Sequence, residues 1–115
     1  MSLPEPDHDD TRLITLAAGA RARVAATTGA AVRDTTGRSY VGADVVLPSL
    51  RLDALELALA PAIAAGASGL EAAAVVAVEP QMRHRDRELL KQAGGGDAPV
   101  WLADTSGNVL AQERA

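Results

Sequence analysis

The side chains best suited to chemistry lie in two short charged clusters. The first is Asp7-His8-Asp9-Asp10, near the amino terminus, and the second is Arg83-His84-Arg85-Asp86-Arg87. Adjacent ligands on a terminal segment are poorly preorganised for a metal ion, so the first cluster indicates the cap of a helix. The second cluster is typical of a charged helix surface, and a phosphate held at the start of that helix is the alternative.

Cysteine is missing from the sequence altogether. This excludes disulfides, a thiolate nucleophile and most structural zinc sites. His8 and His84 are the only imidazole bases, and no G-x-S-x-G motif marks a nucleophilic serine. The residue types therefore argue against a nucleophilic hydrolase.

The length and the charge of the chain exclude further classes of protein. A chain of 115 residues forms one domain, which we expect over residues 9–115 after a disordered tail at 1–8. The net charge of -4 argues against a nucleic-acid binder. No apolar run reaches about 18 residues, so we expect no membrane partner and a cytoplasmic location. With 48% hydrophobic but only 2% aromatic residues, the core must be built from Ala, Val and Leu.

The hydrophobic pattern predicts three helices and five strands. We expect helices at 11–26, 50–65 and 83–93, with Asp9 or Asp10 capping the first. Strands are expected at 29–33, 39–46, 70–78, 100–103 and 109–111. Pro61 must either kink the second helix or begin a new turn. This order favours a mixed sheet covered by helices on both sides, although a flavodoxin-like or roadblock-like α/β domain is an alternative.

Two stretches of the sequence are distinctive, GAAVRDTTGRSYVGADV at 29–45 and DAPVWLADTSGNV at 97–109. Both resemble the small homotetrameric cytidine deaminase family. The resemblance extends in layout over residues 10–111 and implies a three-layer α/β/α fold with a five-stranded mixed sheet. It also implies a zinc-activated water and a glutamate that transfers protons. The family's closing helix has no counterpart here.

The family's functional residues do not carry over. Its first metal motif, Cys-Ala-Glu or His-Ala-Glu, corresponds to Asp53-Ala54-Leu55 or to Leu55-Glu56-Leu57, so Leu replaces the proton-transferring Glu in both registers. The Cys-x-x-Cys pair corresponds to His84 and Arg87. The residues that bind ribose correspond to Asp44 and Val46, and the base-stacking Phe corresponds to Ala26.

The resemblance therefore defines a vestigial cleft without a catalyst. Its members are Asp44, Asp53, Glu56, His84 and Arg87. We expect no metal and no cofactor, although the family would bring zinc, because a guanidinium cannot deprotonate and repels a metal ion. Arg87 either enters the former metal position and pairs with Asp53 or Glu56, or it is a solvated charge in the first turn of a surface helix.

Three functional hypotheses follow. The first is a catalytically degenerate family member with a structural or binding role, self-associating as a dimer or tetramer. The second is a nucleoside deaminase or hydrolase with unconventional ligands. The third is a module that binds a nucleoside, a nucleotide or a protein partner through the cleft.

Overall fold

A computed structural model describes residues 3–115 of the chain. Its helices are α1 (His8–Arg23), α2 (Ala54–Ala64) and α3 (His84–Gln92). Its strands are β1 (Gly29–Asp34), β2 (Ser39–Ala43), β3 (Val45–Leu47), β4 (Leu50–Leu52), β5 (Leu70–Val76), β6 (Pro99–Ala103) and β7 (Val109–Arg114). No helix within residues 3–115 has the length and apolar character needed to cross a membrane.

Five strands form one mixed sheet in the order β2-β1-β5-β6-β7. Only the β5–β6 pair is parallel, and the other pairs are antiparallel. The parallel pair requires a crossover, which α3 supplies. The expected five-stranded mixed sheet is therefore confirmed.

Helices cover both faces of the sheet because its strands alternate apolar side chains between them. Ala31 of β1 packs with Leu13 and Ala17 of α1, whereas its neighbours Ala30 and Val32 pack on the side of α2 and α3. Alanine supplies five of the nine buried core residues on the α1 side and five of the thirteen on the side of α2 and α3, so the helices approach the strands closely. The three-layer α/β/α architecture is confirmed.

The first helix begins earlier than its apolar pattern predicts. Asp7 is the N-cap, and its Oδ1 accepts the backbone N–H of Asp10 at 2.8 Å, so the prediction of Asp9 or Asp10 as the cap is wrong. Asp10 is instead buried within the helix. Of the predicted tail at 1–8, residues 1 and 2 lie outside the described residues, and His8 already belongs to α1.

The second helix begins later than predicted, because residues 45–52 form a separate β3–β4 hairpin. The preceding strand ends at Ala43, and the Asp44 carboxylate then accepts the backbone N–H of Thr28 at 2.8 Å. Asp53 is the N-cap of α2, which continues through Pro61 to Ala64. Pro61 therefore starts no new turn, and it removes only one backbone donor from the helix.

Candidate functional site

A cleft of about 220 Å³ opens where the amino termini of α2 and α3 converge beside the end of β5. Its apolar wall includes Ala54, Leu55 and Val75. Its polar lining is Thr28, Asp44, Asp53, Glu79, Gln81, Arg83 and Asp86. Four carboxylates and one guanidinium make this lining acidic, so it disfavours an anionic ligand.

One arginine joins the two helix termini across the cleft. Arg83, the N-cap of α3, places Nη2 at 2.6 Å from Oδ2 of Asp53. The same guanidinium lies 3.3 Å from Oδ2 of Asp86 through Nε and 3.5 Å from its Oδ1 through Nη2. Asp86 also accepts the backbone N–H of Arg83 at 2.9 Å. Arg83 therefore bridges a carboxylate on each helix.

The charge of this bridge is fixed. Hydrogen bonds to Asp86 and to Asp53 raise the pKa of the Arg83 guanidinium, so it stays protonated at any pH at which the protein folds. Asp86 has only 7% of its side chain exposed and depends on this cation for charge compensation. Arg83 itself is 54% exposed, so solvent screens the outer part of the bridge.

A second arginine reinforces the start of α2 from the outside. Nη2 of Arg85 lies 3.1 Å from Oε2 of Glu56, and its Nη1 lies 3.7 Å from Oδ2 of Asp53. Glu56 in turn accepts the backbone N–H of Asp53 at 3.2 Å through Oε1, as the second half of a capping box does. Glu56 therefore orders the helix start and does not line the cleft.

Only part of the predicted site lines this cleft. Asp44 and Asp53 do, whereas Glu56, His84 and Arg87 do not. His84 is exposed on the first turn of α3. Arg87 pairs with Glu113 at 3.2 Å and donates through Nε to the carbonyl of Arg114 at 3.3 Å, both on β7. The expectation that Arg87 would pair with Asp53 or Glu56 is wrong, because the side chain of Arg87 leaves α3 toward β7.

Arg83 contacts Asp53 in the cleft and Asp86 lines the cleft beside it, although the family's motif spacing singles out neither residue. They keep the three-residue spacing of the expected Cys-x-x-Cys pair but lie one position earlier than His84 and Arg87. A signal for this register exists in the sequence. Asp86 follows Arg83 by three residues and is the acidic N3 residue of a capping box, which fixes where α3 begins.

These side chains do not fit a zinc ion. A hydrolytic zinc site uses three side-chain ligands and an open position, usually from His, Cys or a carboxylate. Here two carboxylates share one permanently charged guanidinium, and residues 3–115 contain no group of three or more His, Cys, Asp or Glu placed to hold a metal. In addition, Leu55 lines the cleft on the first turn of α2, where it offers no proton-transferring group.

Comparison with known proteins agrees with this architecture. A family model for cytidine deaminase-like proteins matches residues 6–107. The chain belongs to the cytidine deaminase-like family. A search of the curated proteins found no significant match.

Solved structures extend the family assignment to the whole fold. The cytidine deaminase from Burkholderia pseudomallei is 26% identical, with a TM-score of 0.77 over 96% of this chain and 93% of that one. A cytidine deaminase from Mycobacterium tuberculosis is 27% identical, with a TM-score of 0.69 over 82% of this chain and 85% of that one. This cytidine deaminase-like protein thus has the family fold over nearly its full length.

Proposed function

We propose that this protein is a catalytically inactive member of the cytidine deaminase-like family with a structural or binding role. The observation that carries the proposal is the Arg83 guanidinium at 2.6 Å from Asp53 and in contact with Asp86. A fixed positive charge at the meeting point of the two helix termini opposes a divalent cation there. With Leu55 beside it, the cleft offers neither a metal-bound water nor a group to move its proton.

The test compares this protein with an authentic cytidine deaminase. Both proteins are purified from zinc-supplemented medium, and zinc content and loss of cytidine absorbance are measured under the same conditions. The cytidine deaminase from Burkholderia pseudomallei is the positive control. We expect turnover and zinc in the control alone. Cytidine turnover by the present protein would instead establish the second hypothesis, an enzyme with unconventional ligands.

The binding role concerns the cleft. At about 220 Å³ it is smaller than the roughly 300–1,000 Å³ of most ligand sites, and its carboxylates repel phosphate. These two properties favour a small uncharged or cationic ligand over a nucleotide. A thermal-shift panel of nucleobases, nucleosides and nucleotides shows which of these ligand classes binds. A ligand at 100 times its Kd adds about 2.7 kcal/mol to the free energy of unfolding.

A matched pair of variants locates any such ligand. Asp44→Asn removes one cleft charge while keeping the oxygen that accepts the Thr28 N–H, whereas Glu88→Gln removes the same charge on the outer surface of α3. A cleft ligand responds to the first variant alone. Stabilisation by nucleotides but not by nucleosides would contradict the argument from charge.

We further propose that the protein self-associates through an apolar surface formed by the β3–β4 hairpin and α2. Val46, Leu47 and Leu50 are 62%, 54% and 46% exposed on the hairpin, and Ile63 is 57% exposed on α2. Leu52 of β4 lines the same apolar groove as Ile63, which connects the two areas. A soluble monomer rarely leaves such a surface uncovered.

Light scattering after size exclusion tests this surface. We expect a dimer or tetramer at micromolar concentration, and Leu47→Asp should shift it to monomer. Leu110→Asp, at a similarly exposed position on β7, is the control. A wild-type monomer, or dissociation by Leu110→Asp alone, would show that the surface is not the interface.

The lack of Cys suits a reducing compartment, and we therefore propose the cytoplasm as the location.

A further inference from the structure

The amino termini of two helices converge on a pair of carboxylates at the base of the cleft. Asp53 precedes the first residue of α2, and Asp86 lies in the first turn of α3. Both positions suit a carboxylate, because the amino terminus of a helix carries a partial positive charge. Held together, however, the two carboxylates repel each other unless a cation lies between them.

Arg83 provides that cation from within the chain. Its Nη2 lies within hydrogen-bonding distance of both carboxylates, at 2.6 Å from Asp53 and 3.5 Å from Asp86. A nitrogen that contacts both groups marks the point at which a bound cation would also contact both. Arg85 reaches Asp53 only at 3.7 Å and from the outer side, where Glu56 is its main partner.

We propose that the Arg83 guanidinium takes the place of a metal ion and joins α2 to α3. Its charge prevents a cation from binding at a latent cation site, which Asp53, Asp86 and a suitable third ligand at position 83 would form. This inference rests on the proposed lack of catalysis. It goes further by assigning the suppression to one side chain. Removing Arg83 leaves two carboxylates without their shared cation, and a His at position 83 adds an imidazole as the third ligand.

The experiment measures metal binding by the purified full chain carrying Arg83→His. Cobalt(II) titration is followed by visible absorbance, and zinc(II) binding by calorimetry and thermal shift. We expect one ion per chain, bound at least about tenfold more tightly than by wild type, with a rise in Tm. Arg85→His is the matched control, because it places a histidine two residues away and leaves Arg83 between the carboxylates.

The outcomes separate this inference from the proposed function. If folded Arg83→His binds cobalt no more tightly than wild type or Arg85→His, the latent site does not exist, whereas the proposed inactivity stands. If wild type itself binds one zinc ion tightly, both fall. Binding by Arg83→His that disappears when Asp53→Asn is added supports the assignment of Asp53 as a ligand.

A second measurement covers the case in which Arg83→His does not fold. A double-mutant cycle with Arg83→Met and Asp53→Asn tests the bridge without any metal, since both replacements preserve approximate size. We expect the Tm of the double variant to fall by less than the sum of the decreases in the two single variants. This coupling should shrink at high salt, because the bridge is partly exposed. Strict additivity would show that Arg83 does not join the two helices.

Discussion

Replacing Gly42 with alanine should displace the first turn of α2, whose residues Ala54 and Leu55 line the cleft. Strand β2 passes so close to α2 that a Cβ at Gly42 would lie 2.6 Å from the carbonyl oxygen of Ala54, 2.7 Å from Cβ of Leu57 and 2.8 Å from the backbone nitrogen of Ala58. Ordinary contact begins at 3.4 Å. The first turn of α2 must therefore retreat by about 0.8 Å, taken from the shortest of these distances.

The energetic cost follows from the kind of atoms involved. Two of the three contacts are with backbone, which cannot rotate away, so the strain lies near the upper end of the ~1–3 kcal/mol range for overpacking. Alanine recovers about 0.5–1 kcal/mol of backbone entropy relative to glycine. We therefore expect a net loss of about 2 kcal/mol, which lowers Tm by roughly 8 °C in a domain of this size.

Thermal and urea unfolding of Gly42→Ala measure this loss, with Gly19→Ala as the control. Gly19 lies at an exposed position of α1, where an added methyl group would meet no atom within 4 Å, so its replacement should raise stability by up to about 1 kcal/mol. Because Ala54 adjoins Asp53, Gly42→Ala should also weaken the coupling between Asp53 and Arg83. An unchanged or higher Tm for Gly42→Ala would refute the close packing of β2 on α2.

Two further predictions concern buried polar groups away from the cleft. Asp10 accepts hydrogen bonds from Nη2 of Arg33 at 2.8 Å and from Nε1 of Trp101 at 3.0 Å. Asp10→Ala leaves both donors without this acceptor and should cost about 3 kcal/mol in urea unfolding, whereas a loss below about 1 kcal/mol would contradict this arrangement. The Thr36 hydroxyl and neighbouring backbone N–H groups donate hydrogen bonds to the buried Asp34 carboxylate and hold its pKa below the ordinary 3.8, although burial acts in the opposite direction. Asp34 therefore stabilises the fold above that pH and loses its contribution as the pH falls through the lowered pKa, so the Tm difference between wild type and Asp34→Asn should be largest near neutrality and vanish in acid. A difference that grows in acid would contradict the sign.

The sheet and its covering helices follow from short-range patterns in the sequence. The nearly continuous apolar run from Leu70 to Val78 predicts the central strand, because a strand buried on both faces lacks regular polar alternation. The hairpin β3–β4 is not predictable in this way. Its second strand, Leu50–Leu52, has the leucine content of a helix and is predicted to begin one, but the helix start is fixed instead by the capping residues Asp53 and Glu56.

The side chains of the candidate site are also predicted only in part from the sequence. The family resemblance predicts an arginine in the former metal position at the start of α3, but the register assigned to the Cys-x-x-Cys pair selects Arg87. Asp86 lines the cleft, and the next side chain along the helix, that of Arg87, is turned by about 100° and extends to β7 instead. Arg87 accordingly meets Glu113 on β7, whereas Arg83 meets Asp53. The capping box of Arg83 and Asp86 is a sequence signal that distinguishes the two arginines.

The zinc content of the wild-type protein tests the central claim most directly. Elemental analysis after expression in zinc-rich medium and gel filtration should find far less than one zinc ion per chain, because the Arg83 guanidinium holds both Asp53 and Asp86. One zinc ion per chain, retained through gel filtration and lost in Asp53→Asn, would contradict the account.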